Sequence, residues 1–248
     1  MKKIKSIAAS LGLAIATLAL TAHMTLAAPV TIPAGLNPGD TYRIAFVTST
    51  TRDATSTNIA DYNAFVTAAA NSQASLAALG TIWTAIASTS TVSARDNTST
   101  VPSSVVGGST GVPIFLLNDT QLAGSYDTLW SGTLDNSLSI DETGETTTGS
   151  GSVWTGTTPA GLTEFAFGLG VTTIFGARLG DAFATGGSWT ALGVSETSFE
   201  FQLYSLSGLL TVPSESVSIP APGSLSLLAL GLAGLGFARR RRIAKTAS

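Results

Sequence analysis

TYRIAFVT, residues 41–48, is the stretch that decides the fold class. It is dominated by β-branched and aromatic residues, and Tyr42, Ile44 and Phe46 alternate along it, which predicts a β-strand. A second alternating stretch, FEFQLYSL at residues 199–206, predicts a last strand that could pair with this first one. The sequence therefore predicts a body organised around two strands that are far apart in the chain.

A helix is predicted directly after the first strand and its polar loop. Asn58 suits the N-cap position, and apolar residues then follow helical spacing to about Ala70. In the last strand, Phe199, Phe201 and Leu203 are expected to share one face. Shorter elements are a helical or turn-like piece at 74–79, a helical turn at 125–130, and strands at 112–117, 152–155 and 172–175. Residues 82–88 are predicted to form a strand or a short irregular element.

Four short motifs fall within this order of elements: Ala60-Asp61-Tyr62, Val112-Pro113-Ile114, Leu129-Trp130-Ser131-Gly132 and Val153-Trp154-Thr155-Gly156. They resemble the C-type lectin-like fold, and in particular its endostatin-like branch. The resemblance implies an α+β, C-type lectin-like (endostatin-like) domain over residues 28–210, although the cysteines of that family are missing here. A generic β-sandwich would account for the alternating strands, but less well for the helix at Asn58.

The N-terminus has the three parts of a secretory signal peptide. A Lys-rich start precedes an apolar stretch at residues 7–20, and small residues follow up to Ala27 and Ala28. We expect signal peptidase to cleave after Ala27, with cleavage after Ala28 as the alternative. A retained N-terminal anchor is disfavoured because the apolar stretch is shorter than the ~20 residues that span a bilayer.

At the C-terminus, a polar linker at 211–218 is followed by an apolar segment and then by a basic cluster. The apolar segment, residues 219–238, is marginally long enough to cross a membrane, and its prolines restrict the helix to about 223–238. The cluster is expected to stay on the cytoplasmic side. The residues that define this tail are Pro220, Ala221, Pro222, Gly223, Arg239, Arg240, Arg241 and Arg242.

This tail resembles the PEP-CTERM sorting signal of Gram-negative bacteria over residues 218–242. The family pairs a Pro-Glu-Pro motif with an apolar helix and an arginine cluster, and Ala221 stands here in place of the central Glu. The resemblance implies export by Sec, transient inner-membrane anchoring, removal of the tail by an exosortase, and delivery to the cell surface or an exopolysaccharide (biofilm) matrix. The alternative is a plain C-terminal membrane anchor.

The composition of the mature body excludes several classes of function. Residues 28–217 contain four arginines and fifteen carboxylates, a formal charge of −11, which disfavours nucleic acid and anionic lipid as partners. The one histidine, His23, lies in the signal peptide, and the chain has no cysteine. A Ser-His-Asp triad, a Cys nucleophile, and zinc or haem sites built from His or Cys are therefore excluded. The many Ser and Thr hydroxyls suit O-glycosylation of a surface glycoprotein.

Gly107-Gly-Ser-Thr-Gly111 matches the G-x-S-x-G pattern of a nucleophile elbow. It precedes a predicted strand rather than following one, and no histidine is available to activate Ser109. A flexible loop is the preferred interpretation, and we predict no catalytic residues.

Three carboxylates, Asp141, Glu142 and Glu145, crowd into one turn and are the candidate calcium ligands. Solvated turn residues would explain them equally. Oxygen ligands also occur at Asp96-Asn97 and Asn118-Asp119, and Arg52-Asp53 and Arg95-Asp96 are interpreted as loop-bracing pairs. The tryptophans could stack on sugar but are expected in the core; they are Trp83, Trp130, Trp154 and Trp189.

These observations favour a non-enzymatic, surface-sorted protein. The expected partners are the Sec machinery, signal peptidase, an exosortase, and extracellular polysaccharide or surface proteins. A carbohydrate- or protein-binding adhesion module, with calcium as an optional cofactor, is the second hypothesis. A polysaccharide hydrolase using two carboxylates is the third, because Asp and Glu alone suffice for that chemistry.

Overall fold

The computed structural model describes residues 32–172 and 174–214. The predicted signal peptide and the sorting tail lie outside this range. The described body combines helices with a sheet of nine strands, so the coarse prediction of a mixed, sheet-rich α and β body is confirmed. None of the described helices is both long and apolar enough to cross a membrane.

The sheet is built around strand β1 (Thr41–Val47). On one side β1 pairs in parallel with β3 (Ile114–Leu116), and on the other it pairs antiparallel with β8 (Gln202–Ser207). In the second pair Ala45 lies opposite Leu206 and Val47 opposite Tyr204. The predicted pairing of the first and last long strands is therefore confirmed.

The remaining strands extend the sheet on both sides of this central pair. Beyond β3 lies β4 (Gln121–Ala123), and beyond β8 lie β5 (Ser152–Trp154), β6 (Ala177–Asp181) and β7 (Gly193–Ser195). Two short strands complete the sheet: β2 (Trp83–Ala85) pairs with β8, and β9 (Leu210–Thr211) pairs with the start of β1.

One face of the sheet is covered by helix α1 (Ile59–Ser72). The helix begins where the sequence predicts, because the side chain of Asn58 accepts a hydrogen bond from the Ala60 N–H at 3.1 Å. Tyr62 and Val66 are fully buried against Ile44, Phe46 and other residues of that sheet face. A short helix, α2 (Ala74–Ala77), follows.

The opposite face is covered by short helices and irregular segments. The helices are α3 (Ala94–Asn97), α4 (Tyr126–Leu129) and α5 (Ser188–Ala191). Leu129 and Trp189 pack there with Ala45 and Val47 of β1. Because β1 is buried on both faces, five of its seven side chains are apolar, including the successive residues 44–47, rather than only alternate ones.

All four tryptophans lie in these two cores, as predicted. Trp83 and Trp154 belong to the helix α1 side, while Trp130 and Trp189 belong to the other. Their exposed fractions are between 0% and 6%, so none offers a free ring face to a sugar.

Two strand predictions are wrong. The described residues of the predicted strand at 172–175 are not in a strand, since Ile174 and Phe175 occupy a turn and are 91% and 60% exposed. The strand starts only after Gly176, which has φ of +75° and has no room for a side chain beside the Ser195 carbonyl. The strand predicted at 199–206 is β8, which begins at Gln202 rather than at 199. Phe199 lies in a turn, 56% exposed, instead of on the face that it was expected to share with Phe201 and Leu203.

The C-terminal boundary also differs from the sequence interpretation. The polar linker was expected to start at Thr211, yet Thr211 pairs with Thr41. The Val212 N–H donates to the Asp40 carbonyl at 2.8 Å, and Val212 is buried. The body therefore includes Val212, because these backbone groups complete the sheet.

Candidate functional site

The two ends of the described body emerge at one pole. Residues around Gly39 and Val212 are joined by backbone hydrogen bonds beside the start of β1, with the Gly39 N–H donating to the Val212 carbonyl at 3.0 Å. A seven-residue strand extends about 20 Å, so the end of β1 lies at the opposite pole. The linker to the tail thus leaves the body far from the loops that follow β1.

A cleft of about 530 Å³ opens at that opposite pole. We call it the distal cleft. Eight of its fourteen lining residues are serine or threonine, three are acidic, and none carries a positive charge. Its lining includes Thr51 after β1, Glu145 and Thr147 on the loop before β5, Ser152 in β5, and Glu200 and Gln202 at the start of β8.

Tertiary structure brings the cleft residues together. The loop before β5 is tied to the end of β1 by the hydrogen bond from the Val47 N–H to the Ile140 carbonyl, at 2.9 Å. The antiparallel pairing of β1 and β8 brings Ser49 and Thr51 close to the residues that precede Leu203. Three separate parts of the chain thereby line one opening.

The side chain of Gln202 is fixed within the cleft. Its Nε2 donates to the Thr48 carbonyl at 2.7 Å and lies 2.7 Å from Thr147 Oγ1. Phe201 beside it packs edge-on against Trp154, with ring centroids 5.0 Å apart. The floor of the cleft is therefore anchored to the core.

The fold separates the three carboxylates of the turn that the sequence proposed for calcium. Asp141 and Glu145 line the cleft, but the buried Glu142 carboxylate instead accepts hydrogen bonds from the Ser49 N–H, at 2.7 Å, and from the Ser49 hydroxyl. Asp141 Oδ1 accepts from the N–H and hydroxyl of Thr143 and from the Glu145 N–H. Across residues 32–172 and 174–214, no three His, Cys, Asp or Glu side chains are grouped to share a metal ion. Calcium binding here remains a prediction to which the geometry adds no support.

Ser109 lies in a loop, as the preferred interpretation expected. The Gly111 N–H donates to Ser109 Oγ at 2.8 Å, which closes a tight turn, and the next element is strand β3. A shallow depression of about 310 Å³ beside it is also lined by Asp96, Ser99 and Tyr126. The strand-turn-helix context of a nucleophile elbow is absent from this described loop.

The two predicted loop-bracing pairs, Arg52-Asp53 and Arg95-Asp96, make different contacts. Arg52 lies 3.9 Å from Asp53, and hydrogen bonds from Thr55, together with Arg52, hold the pKa of Asp53 below its usual value. The Asp96 carboxylate instead accepts a hydrogen bond from the Ser93 hydroxyl, and the Asp96 N–H donates to Ser93 Oγ at 3.2 Å, which caps the start of α3. Neither residue pair lies among those that line the distal cleft.

Asn97 and Asn118, which the sequence offered as oxygen ligands, serve local structure. Asn97 Nδ2 donates to the Asn63 side chain at 2.9 Å and to the Ala85 carbonyl at 2.8 Å. Asn118 Oδ1 accepts from the Thr120 N–H at 3.2 Å in a turn. Both side chains brace the backbone.

The comparison with protein families identifies the C-terminal segment. The PEP-CTERM protein-sorting motif matches residues 218–242, a range that includes Pro220-Ala221-Pro222 and Arg239 to Arg242. This motif indicates an exported protein that is processed by an exosortase, with membrane-associated sorting toward the cell surface. No curated protein matches the chain.

Proposed function

We propose that the chain is a non-catalytic protein of the cell surface or of the exopolysaccharide matrix of a biofilm. Its body would be exported by Sec, freed of residues 1–27 by signal peptidase, and held transiently in the inner membrane by the tail. The sorting motif at residues 218–242 is the observation that carries this proposal.

The arrangement of the body supports presentation at a surface. The linker leaves from the pole at Val212, while the distal cleft opens at the far end of β1. While the tail holds it in the membrane, the body would therefore direct its cleft away from the membrane. The four arginines leave the body with a charge of −11, which argues against anionic lipid and nucleic acid as its partners.

We further propose that the body is a C-type lectin-like domain of the endostatin-like kind that acts as an adhesion module. The pairing of β1 with β8 and the position of α1 directly after β1 support this assignment. The hydroxyl-rich cleft favours carbohydrate over a protein surface as the ligand. O-glycosylation of exposed Ser and Thr residues is part of the same proposal.

The sorting proposal can be tested by cell fractionation. The full chain and a version that ends at Val217 would be expressed in the native host and detected with an antibody against the body. We expect the full chain at the surface or in the matrix, and the truncated chain in the periplasm. Equal amounts of both at the surface would contradict the role of the tail.

The absence of catalysis is tested separately, because three carboxylates line the cleft. The purified protein would be incubated with soluble polysaccharides, and the release of new reducing ends would be measured. We expect no release. Hydrolysis that is lost in Glu200→Gln, with intact folding, would replace the non-catalytic proposal by a carboxylate-based hydrolase.

A further inference from the structure

We propose that the distal cleft is a binding site for a neutral glycan, recognised directly by carboxylates, hydroxyls and one aromatic ring. This inference deepens the proposed function and rests on it, since a surface or matrix protein meets polysaccharide. It names the class of ligand and the residues that select it.

The size and lining of the cleft point to a small polar ligand. A volume of about 530 Å³ lies within the range of sites that hold small molecules. Most such sites are predominantly apolar, whereas here hydroxyl groups dominate the lining. A ligand that itself carries many hydroxyls can exchange hydrogen bonds with this lining, because each hydroxyl both donates and accepts.

The site is held open before any ligand arrives. Asp141 accepts three hydrogen bonds from its own loop, at 2.6 to 3.2 Å, and Gln202 joins that loop to β1 through Thr147 and Thr48. Because these walls are already ordered, binding of a ligand costs little conformational entropy in the protein, which favours affinity.

Charge then selects among glycans. The exposed Glu145 and Glu200 and the largely buried Asp141 all line the cleft, and no positive side chain lines it. Carboxylates accept strong hydrogen bonds from hydroxyl donors but repel uronate, sulfate and phosphate groups. The cleft therefore accepts neutral sugars and rejects acidic ones.

Phe201 supplies the apolar contact that a sugar ring requires. It is half-buried, and its position is fixed by the edge-on contact with Trp154. The C–H face of a pyranose can pack on such a ring while its hydroxyls reach the polar walls. The combination of one fixed ring with surrounding acceptors is what distinguishes this cleft from a merely solvated surface.

The test uses the full chain, purified in a detergent that has no sugar headgroup, so that binding is measured whatever the outcome of sorting. Isothermal titration calorimetry, run once in EDTA and once in calcium without EDTA, would use cello-, malto- and manno-oligosaccharides as neutral probes and oligogalacturonate as the acidic probe. We expect at least one neutral probe to bind and the acidic probe to fail at the same concentration. No binding by any neutral probe, equal binding of oligogalacturonate, or binding that appears only with calcium would overturn the proposal.

Matched variants locate the site. Glu145→Gln combined with Glu200→Gln preserves shape and should weaken the neutral probe roughly tenfold or more, since two charge-assisted hydrogen bonds become neutral ones. Glu196→Gln, an equally exposed carboxylate outside the cleft lining, should bind as the parent does. Thermal unfolding verifies that each variant is folded. Unchanged affinity in the folded double variant would contradict the proposal even if the surface location is confirmed.

Discussion

The arginines of the body serve its interior. Arg43 is only 6% exposed, and its Nη1 donates to the Thr98 carbonyl at 2.8 Å and to the Ser207 carbonyl at 3.2 Å. Arg178 forms an ion pair with Glu164. Arg52 lies over the ring of Tyr62, 4.3 Å from its centroid. Four arginines can balance only four of the fifteen carboxylates of the body, so its surface stays acidic.

Replacing Arg43 by methionine should destabilise the body. The change leaves two carbonyls without a charged donor, so we expect the free energy of unfolding to fall by about 2–4 kcal/mol. Arg43→Lys keeps the charge and should lose less. Urea denaturation of the two variants measures the difference, and a loss below about 0.5 kcal/mol in the methionine variant would contradict this role for Arg43.

Two buried tyrosines should make the mature body sensitive to alkali. Burial raises the pKa of Tyr62 and of Tyr204, while an unfolded tyrosine ionises near pH 10. Above about pH 10 the unfolded chain therefore binds fewer protons than the folded chain. The two tyrosines contribute their full share to the free energy of unfolding below that pH. The free energy of unfolding then falls as the pH rises toward the pKa of the folded state, by up to ~1.4 kcal/mol per pH unit for each tyrosine.

Urea unfolding at pH 8, 10 and 11 measures this alkaline loss. The body between residues 28 and 217 has no lysine, so lysine titration does not obscure the result. Tyr204→Phe should reduce the slope, although it also removes the hydrogen bond from the Tyr204 hydroxyl to the Trp189 carbonyl at 3.1 Å. Stability that stays constant from pH 8 to pH 11 would show this account of the tyrosines to be wrong.

At the scale of elements, helix α1 depends on its first turn. Asn58 caps the helix by accepting from the Ala60 N–H, and Asp61 lies in the first turn, where a negative charge is favourable. Asn58→Ala should lower the free energy of unfolding by about 1 kcal/mol. Asn58→Asp keeps an acceptor at the same position and should retain most of the stability. If both variants have the same denaturation midpoint as the parent, the cap contributes nothing measurable.

Local sequence patterns predicted some elements better than others. Strand β1 and helix α1 could be predicted because propensity, pattern and capping agree at Tyr42 to Phe46 and at Asn58. Residues 172–175 have the composition of a strand, yet Ile174 and Phe175 are exposed in a turn because Gly176 and the β6–β7 pairing determine where the next strand starts. Strand β6 contains Arg178, Gly180 and Asp181, so its composition gave no comparable signal.

The candidate site was only partly predictable for a related reason. Asp141 and Glu145 are noticeable in the sequence because acidic residues crowd that turn. Glu200 and Gln202 join them only through the pairing of β1 with β8, and the loop before β5 is placed by its backbone contact with Val47. Neighbours that are brought together by tertiary pairing leave no local pattern in a single sequence.

For the whole molecule, the two ends of the chain explain its arrangement. The body between them has its linker at one pole and its cleft at the other, and it lies between a predicted signal peptide and a sorting motif at residues 218–242. We therefore propose that export and sorting are encoded at the two ends and that the described body selects the ligand. We propose that the tail is present only temporarily and is removed after it has directed the body to the surface.

Intact-mass spectrometry of the protein recovered from surface and membrane fractions of its native host tests this claim most directly. We expect a surface species that starts at Ala28 and ends near residues 220–223, without the arginine cluster and with added sugar increments. A chain that keeps Arg239 to Arg242 and stays in the inner membrane would contradict it, and would mean that Ala221 prevents processing and that the tail is a permanent anchor.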